Sequence, residues 1–197
     1  MKRNLYLFDF DGTITNVDTL FDFLKFSFPK SYNSVYYRFI PKFILAKLKI
    51  LEKSQVKEQF ISTFLKGKSR LEIKVLAFDY FENRKNQILR SSAVSYILDL
   101  NNYHDKYIVS ASVDLWLQPF AEFLGTGLIC TNAYFDEEDN YSGKFASLNC
   151  NYEEKKNRIE KEINLSLYDE IYAFGDSSGD KAMFSISTNP NLNYFGE

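Results

Sequence analysis

Residues 5–13 read LYLFDFDGT, an apolar run that leads into two aspartates and a glycine. Residues 5–8 are typical of a strand buried on both faces, which would deliver Asp9 at its carboxyl end. Asp9 and Asp11 share a face on a continuing strand, and Gly12 then lets the chain turn away. Two close carboxylates repel each other, and such a pair is stable where a divalent cation neutralises the two charges or where one carboxylate carries a proton. Taken alone, the stretch also fits an ordinary Asp-Gly turn with Thr13 as a helix cap.

Two later segments end in a similar way. Residues 107–109 form an apolar run followed by the small residues 110–112, and residues 171–174 form another followed by Gly175 and Asp176. In open α/β sheets, ligands bind just beyond the carboxyl ends of the strands. The sequence therefore predicts an α/β fold in which three strand ends converge on one site.

The segment between the first two strands has helical periodicity. We predict that residues 16–88 form a helical cap over the site, and that residues 1–15 and 89–197 form the catalytic core. Gly67 is predicted to end one cap helix, and Ser69 to cap the next. Two buried helix faces are expected in this segment, one formed by Val56, Phe60, Phe64 and Leu65, the other by Val75, Leu76, Phe78 and Phe81. Beyond the cap, we predict a hairpin within residues 134–145 and a helix over residues 153–163.

Ser110 and Lys155 are candidate phosphate-binding residues. Ser110 can offer its hydroxyl and neighbouring backbone N–H groups to an anion, although it could also be a plain helix N-cap. Ser112 is predicted to be a simple helix cap. Lys155 lies in the run Glu-Glu-Lys-Lys, which by itself is more often a solvated helix face. Lysine is nevertheless a common point charge for phosphate.

A magnesium site is the second prediction at these strand ends. Mg²⁺ prefers oxygen ligands, so Asp9, the backbone carbonyl of Asp11, and Asp176 would form a reasonable set. Asp180 follows Asp176 by four residues, a spacing that suits a residue behind a metal ligand. A generic acidic turn is the alternative for the segment that contains Asp176 and Asp180.

Composition excludes several other kinds of protein. The net charge of −2 argues against a nucleic acid partner. Cys130 and Cys150 have no paired spacing, so free thiols in a reducing cytoplasm are expected, and residues 1–8 do not read as an export signal. His104 is the only histidine, and its polar surroundings predict a surface loop. We therefore expect a cytoplasmic protein.

The motifs in their order along the chain resemble those of the haloacid dehalogenase superfamily. The match consists of residues 9–13, then Ser110, then Lys155, then Gly175-Asp176 with Asp180. The chain is most similar to the phosphoserine phosphatase-like branch, which carries a helical cap between the first and second motifs. The resemblance implies a Rossmann-like, mainly parallel sheet core with an inserted helical cap.

The resemblance also implies a Mg²⁺-dependent phosphomonoester hydrolase acting on a small-molecule or lipid phosphate. Asp9 would be the nucleophile that forms an aspartyl-phosphate, and Asp11 the general acid and base. Ser110, Ala111 and Lys155 would bind the phosphoryl group. Asp180 would support Asp176 or Lys155. The alternatives are a phosphotransferase or mutase with the same intermediate, and a non-catalytic binding protein that retains the fold.

Departures from the phosphoserine phosphatases affect the expected substrate. Those enzymes usually have Ser at the position of Gly12, Glu at that of Asp18, two glycines at residues 111–112 and Asn at that of Gly179. In that branch the cap and the region of Asp18 select the organic part of the substrate. Phosphoserine is therefore not the substrate that the sequence favours, and Asp18 is a candidate for substrate selection.

Residues 36–50 form a basic amphipathic segment without an acidic residue. Such a segment can lie on an anionic bilayer, and its four cations argue against its spanning one. Weak peripheral membrane contact is therefore one hypothesis. The alternative is a packing face of the cap, with lysines that extend to water along apolar surface.

Overall fold

The computed structural model describes residues 3–196. In these residues the strands of the core are β1 (Asn4–Phe8), β2 (Asp105–Val113), β3 (Gly127–Thr131), β6 (Glu170–Gly175) and β7 (Asn189–Leu192), and a hairpin consists of β4 (Ala133–Phe135) and β5 (Tyr141–Phe145). The cap helices are α1 (Thr19–Ser27), α2 (Tyr32–Lys47), α3 (Lys53–Leu65) and α4 (Arg70–Ile88). The remaining helices are α5 (Ser91–Asp99), α6 (Asp114–Leu124), α7 (Glu153–Glu162) and α8 (Lys181–Ser185).

The core is a parallel sheet with the strand order β3-β2-β1-β6-β7. Strand β1 is central because its side chains are apolar on both faces: Leu5, Leu7 and Phe8 are fully buried. Phe8 stacks on Phe174 of β6 with ring centroids 4.8 Å apart. The predicted Rossmann-like α/β core with an inserted helical cap is confirmed, and the carboxyl ends of β1, β2 and β6 lie side by side.

The cap helices leave and rejoin the core at adjacent positions. Thr15 and Leu89 form an isolated antiparallel bridge on either side of the four helices. Gly67 has φ of 79° just after α3, and Ser69 caps α4 with a capping box in which Glu72 is the partner. The predicted helix end and helix cap are therefore confirmed.

The buried face of α4 differs from the predicted one. Val56, Phe60, Phe64 and Leu65 of α3 are buried as predicted, but Val75 and Phe78 of α4 are 60% and 59% exposed. The buried residues of α4 are Ile73, Ala77, Tyr80, Phe81 and Ile88. The prediction placed Val75 and Phe78 with Phe81 on one face, whereas α4 packs on α6 through residues spaced by about one turn, with Phe81 against Phe120 at 5.0 Å between ring centroids.

Most other predicted elements are confirmed, and one expectation is wrong. The hairpin of β4 and β5 and helix α7 lie where they were predicted. His104 lies in the turn before β2, as predicted, but it is half-buried rather than on the surface: its Nδ1 accepts a hydrogen bond from the Asn4 backbone N–H, and its ring packs on Tyr6. Among the helices of residues 3–196, none is long and apolar enough to cross a bilayer.

Candidate active site

The candidate site residues surround one cleft at the carboxyl ends of β1, β2 and β6. The cleft has a volume of about 310 Å³. All eight residues singled out in the sequence line it, namely Asp9, Asp11, Asp18, Ser110, Ala111, Lys155, Asp176 and Asp180. Lys57 and Ser112 are among further lining residues that the sequence did not indicate. The strand ends identified in the sequence therefore surround one cleft. The alternative, in which these segments are unrelated turns at the surface, does not agree with this arrangement.

Lys155 connects the first and last motifs in the floor of the cleft. Its ammonium donates to Asp9 Oδ1 and to Asp180 Oδ1, both at 2.6 Å, and its side chain is only 2% exposed. Burial disfavours the charge on Lys155, but the two carboxylates raise the pKa of its ammonium. Burial raises the pKa of Asp9, and the Lys155 ammonium opposes that shift. Lys155 thus lies on the buried side of α7 and not on a solvated helix face.

Asp180 uses both oxygens to organise its surroundings. One oxygen holds Lys155, and Oδ2 accepts hydrogen bonds from the backbone N–H groups of Asp176 and Ser177 and from the Ser177 hydroxyl, at 3.1–3.2 Å. The Ser177 hydroxyl in turn caps the short turn that contains Asp180. Asp180 therefore contacts both groups that it was predicted to support, Asp176 and Lys155.

Asp11 is held by the cap on one side and by the core on the other. Its Oδ1 accepts from the Thr19 backbone N–H at 2.7 Å and from the Thr19 hydroxyl at 2.6 Å. Its Oδ2 accepts from the Ser112 hydroxyl at 2.5 Å. The prediction of Ser112 as a helix cap is wrong, because Val113 is the N-cap residue of α6 and the Ser112 hydroxyl faces Asp11. No sequence pattern links residue 112 to residue 11, since only the adjacency of β1 and β2 brings them together.

Ser110 and Ala111 lie in the last part of β2, where the register with β3 shifts between Ser110 and Val113. Ser110 is 1% exposed, and its Oγ accepts from the Ser112 backbone N–H at 3.0 Å. The carbonyl of Ala111 accepts from Lys57 Nζ at 2.5 Å and from Thr131 Oγ1 at 2.7 Å. The alternative of Ser110 as the N-cap of α6 is excluded, because that helix begins at Asp114.

Lys57 of α3 is the cap residue that sequence reasoning missed. In the sequence it lies among the polar residues of an amphipathic helix, and only its position next to the buried Val56 hinted at burial. Burial lowers the pKa of the Lys57 ammonium, while the negative charges of Asp11 and Asp18 act in the opposite direction. Asp18 is exposed at the mouth of the cleft, but the protein around it partly desolvates its carboxyl group and raises its pKa to about 6, with the charge of Asp11 adding to the shift and Lys57 opposing it. Asp18 itself caps α1 through a hydrogen bond from the Leu20 backbone N–H.

The acidic residues of the cleft fit a hard divalent cation. Carboxylate oxygens of Asp9, Asp176 and Asp180 lie within 4.8 Å of one another. Asp180 Oδ1 accepts from Lys155 and its Oδ2 accepts from three further donors, whereas Asp9 Oδ2 accepts one longer hydrogen bond, from the Thr13 hydroxyl at 3.3 Å. Asp9 and Asp176 are therefore the better placed side-chain ligands. Gly12 leaves room for this pair: it has φ of 83°, and a Cβ atom there would lie 2.3 Å from Asp176 Oδ2. A donor set made only of oxygen atoms is the type that Mg²⁺ prefers.

Comparison with known proteins assigns the family. The sequence matches the family of haloacid dehalogenase-like hydrolases over residues 6–185. The chain belongs to this family. Membership of the haloacid dehalogenase-like hydrolases confirms the resemblance that was drawn from the four ordered motifs, and it makes the chain a hydrolase by family.

The individual relatives share less than 30% of their sequence with this chain. Protein CicA of Caulobacter vibrioides is 29% identical over 197 residues, which cover 97% of this chain and 86% of that protein. A protein of unknown function from Bordetella pertussis Tohama I superposes with a TM-score of 0.80 at 20% identity, covering 96% of this chain and 89% of the other. A phospho-aspartyl intermediate analogue of phosphoserine phosphatase superposes with a TM-score of 0.64 at 21% identity, covering 99% and 90%. The fold of this haloacid dehalogenase-like hydrolase is therefore shared with the phosphoserine phosphatase-like branch, as the sequence predicted.

Proposed function

We propose that the chain is a Mg²⁺-dependent phosphomonoester hydrolase that works through an aspartyl-phosphate on Asp9. The observation that carries this proposal is the buried Lys155 ammonium, which bridges Asp9 and Asp180 beneath an open cleft. A cation in that position orients the Asp9 carboxylate and attracts the phosphoryl oxygens of a substrate. Membership of a hydrolase family supports the same reaction class.

In the first half-reaction, a carboxylate oxygen of Asp9 attacks phosphorus and the bond from phosphorus to the leaving oxygen breaks. Asp11 donates its proton to that oxygen, so the leaving group departs as an alcohol. Oδ2 is the oxygen of Asp11 that suits this role, because its partner, the Ser112 hydroxyl, can accept a hydrogen bond as well as donate one. Oδ1, in contrast, faces the Thr19 backbone N–H, which can only donate.

In the second half-reaction, Asp11 takes a proton from water as the water oxygen attacks the aspartyl-phosphate. The bond from phosphorus to Asp9 breaks, and the Asp9 carboxylate and inorganic phosphate are formed. Ser110, the backbone N–H of Ala111 and Lys155 bind the phosphoryl oxygens in both halves. Mg²⁺ would be held by Asp9, Asp176 and the Asp11 carbonyl, and when bound it neutralises the repulsion between an anionic nucleophile and an anionic phosphate.

The cap completes the proposal. We assign residues 16–88 to the cap and residues 1–15 and 89–197 to the catalytic core, since the bridge between Thr15 and Leu89 closes the segment at its base. Asp18 and Lys57 are the charged cap residues that line the cleft, and we propose Asp18 as a residue that selects the organic part of the substrate.

The test of this function is Asp9→Asn with p-nitrophenyl phosphate as substrate. The substitution keeps the shape of the side chain but removes the anionic nucleophile, so Mg²⁺-dependent release of phosphate should fall by at least about a thousandfold. Circular dichroism should show an unchanged fold. Turnover close to that of the wild type would refute the assignment of the nucleophile.

A further inference from the structure

The last three turns of α2, the connection to α3 and the first residue of α3 form a segment that we call the cap tip (residues 37–53), one side of which is exposed. Five large apolar residues of the cap tip are exposed. Leu48 is 63% exposed, and Ile50, two positions later, is 66% exposed. The full set is Tyr37, Ile44, Leu48, Ile50 and Leu51. Single exposed apolar residues are common on proteins, but a cluster of this kind marks a surface for interaction.

The exposed residues are additional to the packing face of α2. Phe39 and Phe43 pack on Phe60 of α3, with ring centroids 5.2 Å away in both cases, and Val35 and Ala46 are buried. The packing of α2 within the cap is therefore satisfied by a different set of residues. The packing-face alternative explains Phe39 and Phe43, but it leaves the cap tip unexplained.

The cap tip is also strongly basic. It carries five cations, Arg38, Lys42, Lys47, Lys49 and Lys53, all exposed, and a single acidic residue, Glu52. Within the part of the chain that the structure describes, none of these cations forms a salt bridge. The chain as a whole has 24 basic and 26 acidic residues, so the positive charge is a local feature.

We propose that the cap tip docks on the surface of an anionic bilayer. Aliphatic side chains surrounded by lysines match such a surface, because the side chains enter the acyl boundary while the ammonium groups remain among anionic headgroups. A soluble polyanion would leave Leu48 and Ile50 in water. A second copy of the chain, placed symmetrically on the same surface, would bring like charges together.

Docking also brings the cleft to the bilayer, a consequence that rests on the proposed function. Lys53 begins α3, and Lys57 follows it by one helical turn, about 6 Å along the axis. Lys57 reaches the cleft, where its ammonium bonds the Ala111 carbonyl. The class of substrate that this arrangement suits is a phosphomonoester carried by a lipid.

Co-sedimentation with vesicles tests the docking. The full chain should bind vesicles of phosphatidylcholine with 30% phosphatidylglycerol, should bind phosphatidylcholine alone at least tenfold more weakly, and should be released by 0.5 M NaCl. The variant I44S/L48S/I50S should bind at least tenfold more weakly, and K47E/K49E should lose about fivefold or more for each lysine. The matched control is L71S/V75S/F78S, which removes three exposed apolar residues from α4 and should bind as the wild type does.

The outcomes separate docking from catalysis. A wild type that does not bind the anionic vesicles, or a control variant as impaired as the cap-tip variant, overturns the proposal. If the wild type forms dimers in solution and the I44S/L48S/I50S variant is monomeric, the partner of the cap tip is a second copy of the chain and not a bilayer.

Turnover then tests the substrate class. The I44S/L48S/I50S variant should keep its rate on p-nitrophenyl phosphate within twofold and lose at least tenfold on phosphatidic acid presented in the same vesicles. A wild type that turns over p-nitrophenyl phosphate but not vesicle-borne phosphatidic acid overturns the lipid substrate, whereas failure on both substrates overturns the proposed function.

Discussion

At the scale of single residues, Lys155 illustrates how the three-dimensional structure decides between two interpretations of one sequence run. Burial of an ammonium group costs several kcal/mol of desolvation free energy unless carboxylates compensate for it. Asp9 and Asp180 supply that compensation from two other motifs, at 2.6 Å each. These partners could not be predicted from the composition of residues 153–156, because they lie in distant parts of the chain.

Gly12 is a residue whose role can be tested directly. In Gly12→Ala the new Cβ would lie 2.3 Å from Asp176 Oδ2, so Asp176 must move away from the position in which it can share a cation with Asp9. We expect a loss of about 2 kcal/mol in the free energy of unfolding, together with an increase of at least about tenfold in the Mg²⁺ concentration needed for half-maximal activity. Chemical denaturation and a Mg²⁺ titration of phosphatase activity measure the two effects.

Gly67 provides the matched control for this substitution. It has nearly the same φ, 79°, but a Cβ atom there meets nothing within 4 Å. Gly67→Ala should therefore cost about 1 kcal/mol of unfolding free energy through backbone strain and leave the Mg²⁺ titration unchanged. An equal shift of the Mg²⁺ requirement in both variants would contradict the role of Gly12 beside Asp176.

At the scale of secondary structure elements, strands were easier to predict than the orientation of helices. Strand β1 could be located because an apolar run ends abruptly at Asp9. Helix α4, in contrast, has apolar residues around most of its circumference, and its partner α6 decides which of them are buried. Ile73, Ala77 and Phe81 are buried, with Phe81 against Phe120 of α6, and Val75 and Phe78 remain in solvent.

Similar substitutions on the buried and the exposed side of α4 should differ greatly in their effect on stability. Phe81 is 6% exposed and packs on Phe120, so Phe81→Ala should lower the free energy of unfolding by about 3–5 kcal/mol. Phe78 is 59% exposed, so Phe78→Ala should change it by no more than about 0.5 kcal/mol. Urea denaturation of both variants measures the two losses, and similar values would show that Phe78 is buried as deeply as Phe81 and that α4 is rotated about its axis.

At the scale of the whole molecule, the predictable part of the site is the part that lies at strand ends. Asp9, Ser110 and Asp176 follow apolar runs, and parallel strands bring their carboxyl ends to one edge. Contacts across the boundary of cap and core could not be predicted in the same way. Thr19 and Lys57 contact the cleft because the cap helices fold over it, and no sequence spacing specifies that arrangement.

The cleft as a whole also predicts how stability depends on pH in the absence of Mg²⁺. Burial raises the pKa of Asp9 and of Asp176, and partial desolvation together with the charge of Asp11 raises the pKa of the exposed Asp18 to about 6. A carboxyl group with a raised pKa binds its proton more tightly in the folded protein than in the unfolded chain. Its contribution to stability is therefore complete below the ordinary aspartate pKa and is lost as the pH rises through the folded pKa. In EDTA, the melting temperature should accordingly fall by about 5 °C between pH 5 and pH 8.

Asp18→Asn separates the contribution of the cap from that of Asp9 and Asp176, the proposed metal ligands. Asparagine keeps the shape of the side chain and an oxygen that can accept the hydrogen bond of the Leu20 backbone N–H, but it does not titrate. The melting temperature of the variant should therefore fall less than that of the wild type near pH 6. The part of the decrease that is due to Asp9 and Asp176 should remain. Differential scanning calorimetry at several pH values in EDTA measures both curves. A melting temperature that rises from pH 5 to pH 8 in the wild type would mean that these carboxyl groups are ionised in the folded protein at lower pH than their burial implies.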